Sequence, residues 1–414
     1  MILLSHPTGN SFVRSALDAF YDEGLLEQFF TTVATFDGQI FDVLSKIRLA
    51  PEFERRRYRG DLASLTTQQP LRELLRLISF KLNLREVTRS EKGSFCIDRV
   101  YHELDLKVAR ALKDGDFHPS AVYAYEDGAR ETFEFAKKAG INCIYDLPIG
   151  YWRAARRIQA EEAEINPEWA MTMSALGDSE NKLRRKDEEL ANADSIVVAS
   201  QFTASTIREA PFDVEDVHVV PYGTPERTLW PTASSNANGN GRLKVLFVGG
   251  LSQRKGVSYL LDAVESLGKS VELTIIGRTP AETCPPLENA LNEHRWVQSL
   301  PHEGILEEMS QHDVLVFPSL FEGFGLVVTE ALTMGLPVIT TAHTCGPDIL
   351  TEGEDGFVVP IRDSQAIAEK LELLNSDRDL LKEMSEKAKN KATRLTWEKY
   401  RQDLVKAIGP YAIR

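Results

Sequence analysis

The stretch PSLFEGFGLVVTEALTMGLPVITT, residues 318–341, decides how the second half of this chain folds. It continues an apolar run, DVLVF at 313–317, which predicts a strand of a parallel sheet buried on both faces. The loop LFEGFG follows, and a helix is predicted to begin near Gly325 and to end at Met334, with Gly335 as its left-handed terminator. This segment is therefore predicted to be a strand, a loop and a helix at the carboxyl edge of a sheet.

Two glutamates, Glu322 and Glu330, lie on either side of the predicted helix start. A helix N-terminus carries unpaired N–H groups and a positive dipole end, so it favours a phosphate or diphosphate. Glu330 leans back toward that ligand and could accept hydrogen bonds from a vicinal diol, while Glu322 reaches hydroxyls on the other side. Phosphate between two sets of hydroxyls describes a nucleotide sugar. Between the two glutamates, the residues predicted to contact this ligand are Gly323, Phe324, Gly325, Leu326 and Val327.

A structural explanation competes with this one. Glu322 could cap a turn, and Glu330 could be a solvated helix residue. The apolar helix around Glu330 favours the binding role, because a solvated face would carry more polar residues.

Composition and charge limit the classes of function. The 414 residues predict two or three domains, and the net charge of −14 argues against a general nucleic-acid binder. No apolar run reaches the length of a membrane span, and the N-terminal residues lack a basic region followed by a cleavage site. The four cysteines are far apart and form no CxxC pair, which indicates a reducing compartment and no zinc site. We therefore expect a cytoplasmic protein without a metal.

The chain divides at WPTASSNANGNGR, 230–242, which has a linker composition. Each side alternates apolar runs with helical stretches, which predicts two doubly wound α/β units facing a cleft. The predicted strands are 2–6, 31–36, 121–126, 142–147, 195–200 and 217–223 before the linker, then 243–250, 271–277, 313–319, 337–341 and 356–360 after it. The final helix, 395–408, is expected to be capped by Thr396 and to stop before Pro410.

The segment 318–339 closely resembles the E-x7-E signature of retaining glycosyltransferases of the GT-B fold, the large family-4 group known as glycosyl transferases group 1. Residues 245–264 resemble the first unit of the C-terminal domain in that family, and residues 191–207 and 217–225 resemble the segments before the linker. The resemblance is specific over about 190–400 and mostly topological over 1–190. It implies an N-terminal acceptor-side domain, 1–225, a nucleotide-sugar-binding domain, 243–394, and a C-terminal helix, 395–414, that crosses back to the first domain.

The resemblance also implies roles for the residues of the second domain. Arg254 and Lys255 would clamp the donor diphosphate, a task suited to a bidentate guanidinium and a compact ammonium. Glu330 would bind the ribose diol and Glu322 the hydroxyls of the donor sugar. His302 is either a contact to the base or an ordinary loop residue. The nucleotide-diphosphate sugar would be the substrate, with no cofactor, and a hexose would pass to a saccharide or lipid-linked acceptor with retention at the reacting carbon.

The first half departs from the family pattern. Its first loop, SHPTGNSF, has a single glycine, Gly9, which would approach the donor, and Asn10 as a predicted helix cap. His6 is either structural or part of the site. No histidine follows the later strands, and Asp146 stands near the place where the family has one. Glu126 and Asp127 are rivals for this catalytic role, and all three carboxylates could instead be helix caps.

A helical insertion at about 40–115 is rich in arginine. From Lys46 to Arg99 there are 13 Lys or Arg against 7 Asp or Glu. Within it Leu71, Leu74, Leu75, Ile78 and Leu82 recur at helical spacing. This basic amphipathic pattern is typical of a helix on the inner face of an anionic membrane, and the alternative is an apolar stripe packed on the sheet.

Two other functions fit the same residues. A catalytically silent homologue would bind nucleotide sugar without consuming it, and a nucleotide-sugar epimerase would share the fold. Intact Glu322, Arg254, Lys255 and Glu330 favour an active transferase, whereas the missing histidine keeps the silent homologue open.

Overall fold

The computed structural model describes residues 1–46, 51–225 and 241–412. The predicted linker at 230–242 lies almost entirely outside the described residues. Two parallel sheets of seven and six strands form the frame, each flanked by helices. This confirms the predicted α/β fold class.

The first sheet is built before the linker, and its strand order is β3-β2-β1-β4-β5-β6-β7, with every pairing parallel. Its strands are β1 (Ile2–Ser5), β2 (Leu26–Thr31), β3 (Thr66–Gln68), β4 (Ala121–Tyr125), β5 (Asn142–Leu147), β6 (Ser195–Val198) and β7 (Val217–Val219).

The second sheet follows the linker, with the order β10-β9-β8-β11-β12-β13 and again only parallel pairings. Its strands are β8 (Leu243–Val248), β9 (Val271–Ile276), β10 (Arg295–Val297), β11 (Val314–Phe317), β12 (Val338–Thr341) and β13 (Gly356–Val359). In both sheets the order reverses beside the first strand, which creates the crevice where ligands of such sheets bind.

The helices run between the strands. They are α1 (Ser11–Asp22), α2 (Ile40–Lys46), α3 (Leu71–Lys81), α4 (Arg85–Thr88), α5 (Ile97–Asp114), α6 (Arg130–Ala139), α7 (Trp152–Ile165), α8 (Glu180–Ala191), α9 (Gln201–Thr206), α10 (Val257–Leu267), α11 (Pro285–Glu293), α12 (His302–Ser310), α13 (Leu326–Thr333), α14 (Gly346–Ile349), α15 (Ser364–Ser376), α16 (Arg378–Ala392) and α17 (Trp397–Ala412). Short 3-10 helices span Pro51–Arg56, Gly60–Leu65, Pro167–Thr172, Ser174–Gly177, Ile207–Glu209, Gln253–Lys255 and Gly268–Ser270.

Two expected element boundaries are wrong. The run at 31–36 is not a strand, because the second strand is β2, whose apolar pattern is interrupted by Glu27 and Gln28. The last helix does not stop before Pro410 but includes it. Proline removes only one helical N–H donor, and four buried side chains on α17, among them Leu404 and Ile408, keep the helix packed on the protein.

The helix α17 joins the end of the chain to the first sheet's layer. The Thr396 hydroxyl accepts a hydrogen bond from Lys399 N (3.1 Å), as expected for a cap. At the other end the Met1 ammonium donates to the carbonyl of Ala412 (2.7 Å), and the Asn142 amide donates to the carbonyl of Tyr411 (3.1 Å). The C-terminal helix therefore packs on the N-terminal half, against α1.

The arginine-rich insertion is mainly helical, as expected, and it also adds a short edge strand, β3, to the first sheet. Its helix α3 does not bury the apolar stripe on the sheet. Leu71 is 65% exposed and Leu82 64% exposed, whereas Glu73 on the opposite side is fully buried. Glu73 accepts hydrogen bonds from Arg56 and Arg76, so ion pairing holds this face inward. The expectation of a stripe packed on the sheet is therefore wrong.

The carboxyl ends of the two sheets meet across the cleft. The loop after β11 approaches the loop after β5 so closely that a Cβ on Gly323 would overlap the Pro148 carbonyl. The Gly323 carbonyl also accepts hydrogen bonds from the hydroxyls of Ser200 (2.6 Å), which caps α9, and Thr203 (2.9 Å), in the first turn of that helix. The predicted ligand loop is thus held by both halves of the protein.

Candidate active site

Arg254 and Lys255 occupy a 3-10 turn between β8 and α10. The turn ends at Gly256, whose backbone has φ +68° and where a Cβ would overlap the carbonyl of Pro318. Only glycine fits there, because the position combines a left-handed conformation with close backbone contact. The close approach sets the two basic side chains beside the loop that follows β11.

The carboxylate of Glu322 is the meeting point of these side chains. Lys255 Nζ contacts Glu322 Oε2, and Arg254 Nη1 lies 3.6 Å from the same oxygen. Arg254 Nη1 also donates to the carbonyl of Phe321 (2.7 Å), and Lys255 lies over the ring of Phe317, 4.7 Å from its centroid. The structure therefore brings together three residues that the sequence placed in one donor site.

Burial changes the electrostatics of this group. It lowers the pKa of Arg254 and, together with the nearby Arg254 charge, lowers the pKa of Lys255. The adjacent Glu322 carboxylate acts in the opposite direction, since it favours the charged ammonium. Two cations in a partly dehydrated pocket attract an anion more strongly than solvated cations do.

The helix α13 begins beside this cluster. Gly325 has φ +93°, and a Cβ there would meet the ring of Phe317 at 2.9 Å. The amides of Leu326 and Val327 belong to the first turn, where a helix supplies no backbone acceptor. The side chain of Phe324 does not face a ligand, because it is buried against the ring of Tyr222 at 5.1 Å. Its expected donor contact is therefore restricted to its backbone.

Glu330 lies one turn into α13 and is mostly buried. Its Oε1 pairs with Nε2 of His302 at 3.0 Å. This hydrogen bond raises the pKa of His302, the first residue of α12. His302, left open by the sequence, thus lies beside the carboxylate assigned to the diol.

The first loop of the N-terminal half is less open than expected. Gly9 is closely approached by the insertion, since a Cβ would lie 2.8 Å from the Tyr58 hydroxyl and 3.3 Å from the Arg55 carbonyl. Asn10 precedes α1 but makes no side-chain cap bond. His6 is buried, bonds to Thr8, and has its pKa lowered to about 4 by burial. His6 is therefore a neutral residue of the interior, not a charged group on the cleft.

Asp146 does not take the place expected for it. It is 2% exposed, and its Oδ2 accepts a hydrogen bond from the Tyr123 hydroxyl (2.6 Å). Burial raises the pKa of Asp146 to about 7, and the bond from Tyr123 opposes that rise. The carboxylate points into the interior because β5 alternates faces, so its assigned catalytic contact with substrate is not supported by this geometry.

The rivals of Asp146 are also paired. Glu126 lies 3.0 Å from Lys186 Nζ, and Asp127 Oδ1 lies 3.7 Å from it. Burial raises the pKa of Glu126, whereas Lys186 lowers it. Asp127 has φ +71°, and its amide donates to Glu189 (2.8 Å). These carboxylates hold the β4–α6 loop in place.

Some residues at the site were missed. Ser200 ends the predicted strand 195–200 and Thr203 lies in the segment that resembles the family, but neither was assigned to the site, and Gln253 immediately precedes the basic pair. Their contacts join residues about 80 to 120 positions apart, and no local pattern encodes such pairing.

The described residues contain neither a metal-binding cluster nor a helix suited to span a membrane. In the ranges 1–46, 51–225 and 241–412, no group of three His, Cys, Asp or Glu side chains is placed to hold a metal ion. No helix in those ranges combines the length and the apolar character that a membrane crossing needs.

Residues 232–391 match the family model described as glycosyl transferases group 1. Over these residues the chain resembles members of that family. The chain also matches CapM, a capsular polysaccharide biosynthesis glycosyltransferase of Staphylococcus aureus, at 33% identity over 34% of this chain and 39% of the relative. A phosphatidyl-myo-inositol mannosyltransferase of Mycobacterium leprae is 36% identical over 32% of this chain and 37% of the relative. The matches thus span less than two fifths of these relatives.

Solved structures resemble the whole chain. Sucrose-phosphate synthase from Thermosynechococcus elongatus aligns over 99% of this chain and 98% of its own, with a TM-score of 0.67 and 19% identity. Anabaena HepE in complex with UDP and glucose aligns over 99% of both chains, with a TM-score of 0.60 and 15% identity. The two facing parallel sheets and these neighbours together show the GT-B fold, in which the group 1 region forms the second domain.

Proposed function

We propose that the protein is a retaining glycosyltransferase that moves a hexose from a nucleotide-diphosphate donor to an acceptor hydroxyl, in polysaccharide or glycolipid synthesis. One observation carries the proposal: Arg254 and Lys255 converge on Glu322 at the N-terminus of α13. The resemblance of the second half to the glycosyl transferases group 1 supports it.

In this proposal the diphosphate binds between the basic turn and the start of α13. Arg254, Lys255 and the first-turn amides of Leu326 and Val327 would neutralise its charge. The Glu322 carboxylate, released from Lys255 by the phosphate oxygens, would accept hydrogen bonds from the sugar hydroxyls, and Glu330 from the ribose diol. The cations and helix amides thus bind the phosphates, and the two glutamates bind the hydroxyls on either side.

The chemical step needs no protein nucleophile. The bond between the anomeric carbon and the diphosphate oxygen breaks, and the acceptor oxygen bonds to the same face of that carbon. The acceptor proton passes to the departing phosphate, and nucleoside diphosphate leaves. Arg254 and Lys255 stabilise the charge that grows on the leaving oxygen, and such preorganised charge is usually the largest catalytic contribution. This scheme uses neither a metal nor Asp146.

A donor-consumption assay tests the proposal. The protein would be incubated with UDP-, GDP-, ADP- and dTDP-sugars and a panel of acceptors, beginning with UDP-glucose because a structural neighbour is complexed with UDP and glucose. We expect nucleotide release from one donor, with an α-configured product from an α-donor, unchanged rates with a chelator, and loss of release in Glu322→Ala and Arg254→Ala. Nucleotide binding without consumption across the panel would support a silent homologue, and interconversion of free nucleotide sugars an epimerase.

We also propose that the protein is cytoplasmic and that its insertion binds an anionic membrane surface, which would bring a lipid-linked acceptor to the cleft. Leu71, Ile78, Phe80, Leu82 and Leu84 are exposed on and just after α3. Exposed basic residues surround them: Lys81, Arg85, Arg89, Lys92 and Arg99. Of the neighbouring acids, Glu73 and Asp98 are buried, Glu91 is half-buried and Glu86 is exposed, so the five exposed basic residues leave the outward charge positive although the whole protein is acidic. Apolar side chains within a basic surface match an anionic lipid interface.

Vesicle flotation tests the membrane surface. We expect binding to vesicles of phosphatidylcholine with about a third phosphatidylglycerol, weakening as salt rises, and little binding to phosphatidylcholine alone. The double variant Phe80→Ser, Leu82→Ser should lose binding. The matched control is Leu373→Ser, another exposed leucine, on the distant helix α15. Equal flotation of all variants, or none of the wild-type protein, would contradict this part.

A further inference from the structure

A segment of the N-terminal half leaves its own sheet and packs on the C-terminal domain. It runs from α7 through the 3-10 helix at Pro167–Thr172. Its end contacts the turn that carries Arg254 and Lys255, and the ring of Trp169 is buried beside α10. The basic turn is therefore supported by residues of the other half.

Glu162 is the centre of this contact. It lies on α7 and is fully buried, as is Gln253, the first residue of the basic turn. Glu162 Oε1 accepts a hydrogen bond from the Gln253 side-chain amide (2.7 Å), which joins residues 91 positions apart. The hydroxyl of Tyr259 on α10 donates to the same carboxylate (3.0 Å). A buried carboxylate with several donors is fixed in place, since any movement would leave a charge unpaired.

Gln253 passes this constraint to the basic turn. Its backbone N–H donates to the Thr172 hydroxyl (2.9 Å), and its side chain exchanges hydrogen bonds with Ser258 at the start of α10 (2.6 Å and 3.2 Å). Gln253 thus has its backbone and side chain both anchored to groups outside the turn. The next residue is Arg254, whose carbonyl accepts from the amide of Leu320 (2.9 Å) in the ligand loop.

A third element holds Glu162 from the C-terminal domain. Arg362, after β13, donates from Nε to Glu162 Oε2 (2.8 Å) and from Nη2 to the carbonyl of Ile158 (3.0 Å). Arg362 has φ +62°, which costs a non-glycine residue free energy and persists only where the surroundings hold it. Its third contact is with the half-exposed Glu161 (3.2 Å).

We infer that Glu162 is a positioning residue for the diphosphate clamp: it fixes Gln253, and through Gln253 the turn that presents Arg254 and Lys255. The inference rests on the proposed function of that clamp. Beyond that function, the inference states that donor affinity depends on Glu162, a residue of the N-terminal half that contacts no substrate. The geometry of the clamp then depends on the relative orientation of the two halves, because Glu162 can hold Gln253 only when the halves are in this arrangement.

Nucleotide binding tests the inference independently of turnover. UDP, GDP and ADP would be titrated calorimetrically into the wild-type protein, Glu162→Gln and Tyr259→Phe. We expect Kd for the bound nucleotide to rise about 10-fold in Glu162→Gln, because a displaced clamp loses part of its alignment, and about 3-fold in Tyr259→Phe, which loses one hydroxyl. Donor KM should rise in parallel. Tyr259→Phe keeps the test decisive if Glu162→Gln does not fold.

The matched control is Glu161→Ala, which removes the exposed partner of Arg362 but leaves Gln253 untouched. Its Kd should stay within 2-fold of the wild-type value. Lower thermal midpoints with unchanged Kd in Glu162→Gln and Tyr259→Phe would mean a purely structural role and overturn the inference, while the proposed function would stand if Arg254→Ala abolished binding. Binding that survived Arg254→Ala, or no binding by the wild-type protein, would overturn both.

Discussion

The two sides of the cleft use their charged residues differently. On the C-terminal side Lys255 and Arg254 share one carboxylate, Glu322, at a helix N-terminus. On the N-terminal side the strand-end carboxylates are engaged inside the protein, Glu126 with Lys186 and Asp146 with Tyr123. Both sides contain a buried lysine–glutamate pair, but only one pair lies where a ligand's phosphate could replace the carboxylate.

The difference suggests a division of labour. In the proposed function the C-terminal side binds and activates the donor, whereas the N-terminal side holds the ligand loop through contacts such as the hydrogen bond from Ser200 to Gly323. A transferase whose leaving phosphate takes the proton can work with this arrangement. Variants of the two lysine pairs would show whether the division is real.

The largest expected effect is on the N-terminal pair. Lys186→Met leaves Glu126 buried without its cation, and we expect the free energy of unfolding to fall by about 3–5 kcal/mol. The folded variant should keep the wild-type kcat with donor. Chemical denaturation and donor consumption measure the two quantities, and Lys399→Met, which removes an exposed lysine paired with Asp403, should cost less than about 1 kcal/mol. A folded Lys186→Met protein without turnover would assign the N-terminal carboxylates to catalysis and end the comparison.

The second effect is on the C-terminal pair. Lys255→Met should lower kcat about 10²-fold or more, because a cation facing the leaving phosphate is lost. Stability should change less than in Lys186→Met, since Arg254 remains 3.6 Å from the Glu322 carboxylate. Steady-state kinetics with one donor and the same denaturation curve check this. Wild-type rates in the variant would remove the clamp from the mechanism.

The same division explains what could be predicted from sequence. The loop at 321–325 and the basic turn are each encoded within a short stretch of sequence. Strand, glycine and helix start follow one another along the chain, and this order predicts the candidate site. Glu162 and Gln253 form a hydrogen bond although they are 91 positions apart, and no sequence motif around either residue indicates this contact. The position of Asp146 at a strand end predicts the edge of the sheet, but the face that its side chain takes depends on the register of the strand, and the structure places it in the interior. The alternative of an apolar stripe packed on the sheet is wrong for helix α3, because the ion pairs of Glu73 with Arg56 and Arg76 turn the opposite face of the helix inward.

A third prediction concerns the pH dependence of stability at Asp146. Burial raises the pKa of its carboxyl to about 7 in the folded protein, above the value near 3.9 of an unfolded chain. Between about pH 4 and 7 the folded state therefore holds the extra proton, and stability falls as pH rises, by up to about 1.4 kcal/mol per pH unit. Asp146→Asn should flatten this slope without changing donor KM. Parallel denaturation curves for both proteins across this range would contradict the buried, neutral carboxyl.

The smallest effect tests the contact that joins the two sides. The Gly323 carbonyl accepts from Thr203 and from Ser200, so Thr203→Val removes one of two donors and keeps the side chain's shape. We expect a loss of about 1 kcal/mol in unfolding free energy and a donor KM raised about 2-fold, since Ser200 still holds the loop. The matched control is Thr393→Val, whose hydroxyl bonds only locally, to the carbonyl of Asn390. A donor KM unchanged in Thr203→Val would show that the loop holds its shape without the N-terminal half. A change as large as that of Lys255→Met would instead place Thr203 among the residues that touch the donor.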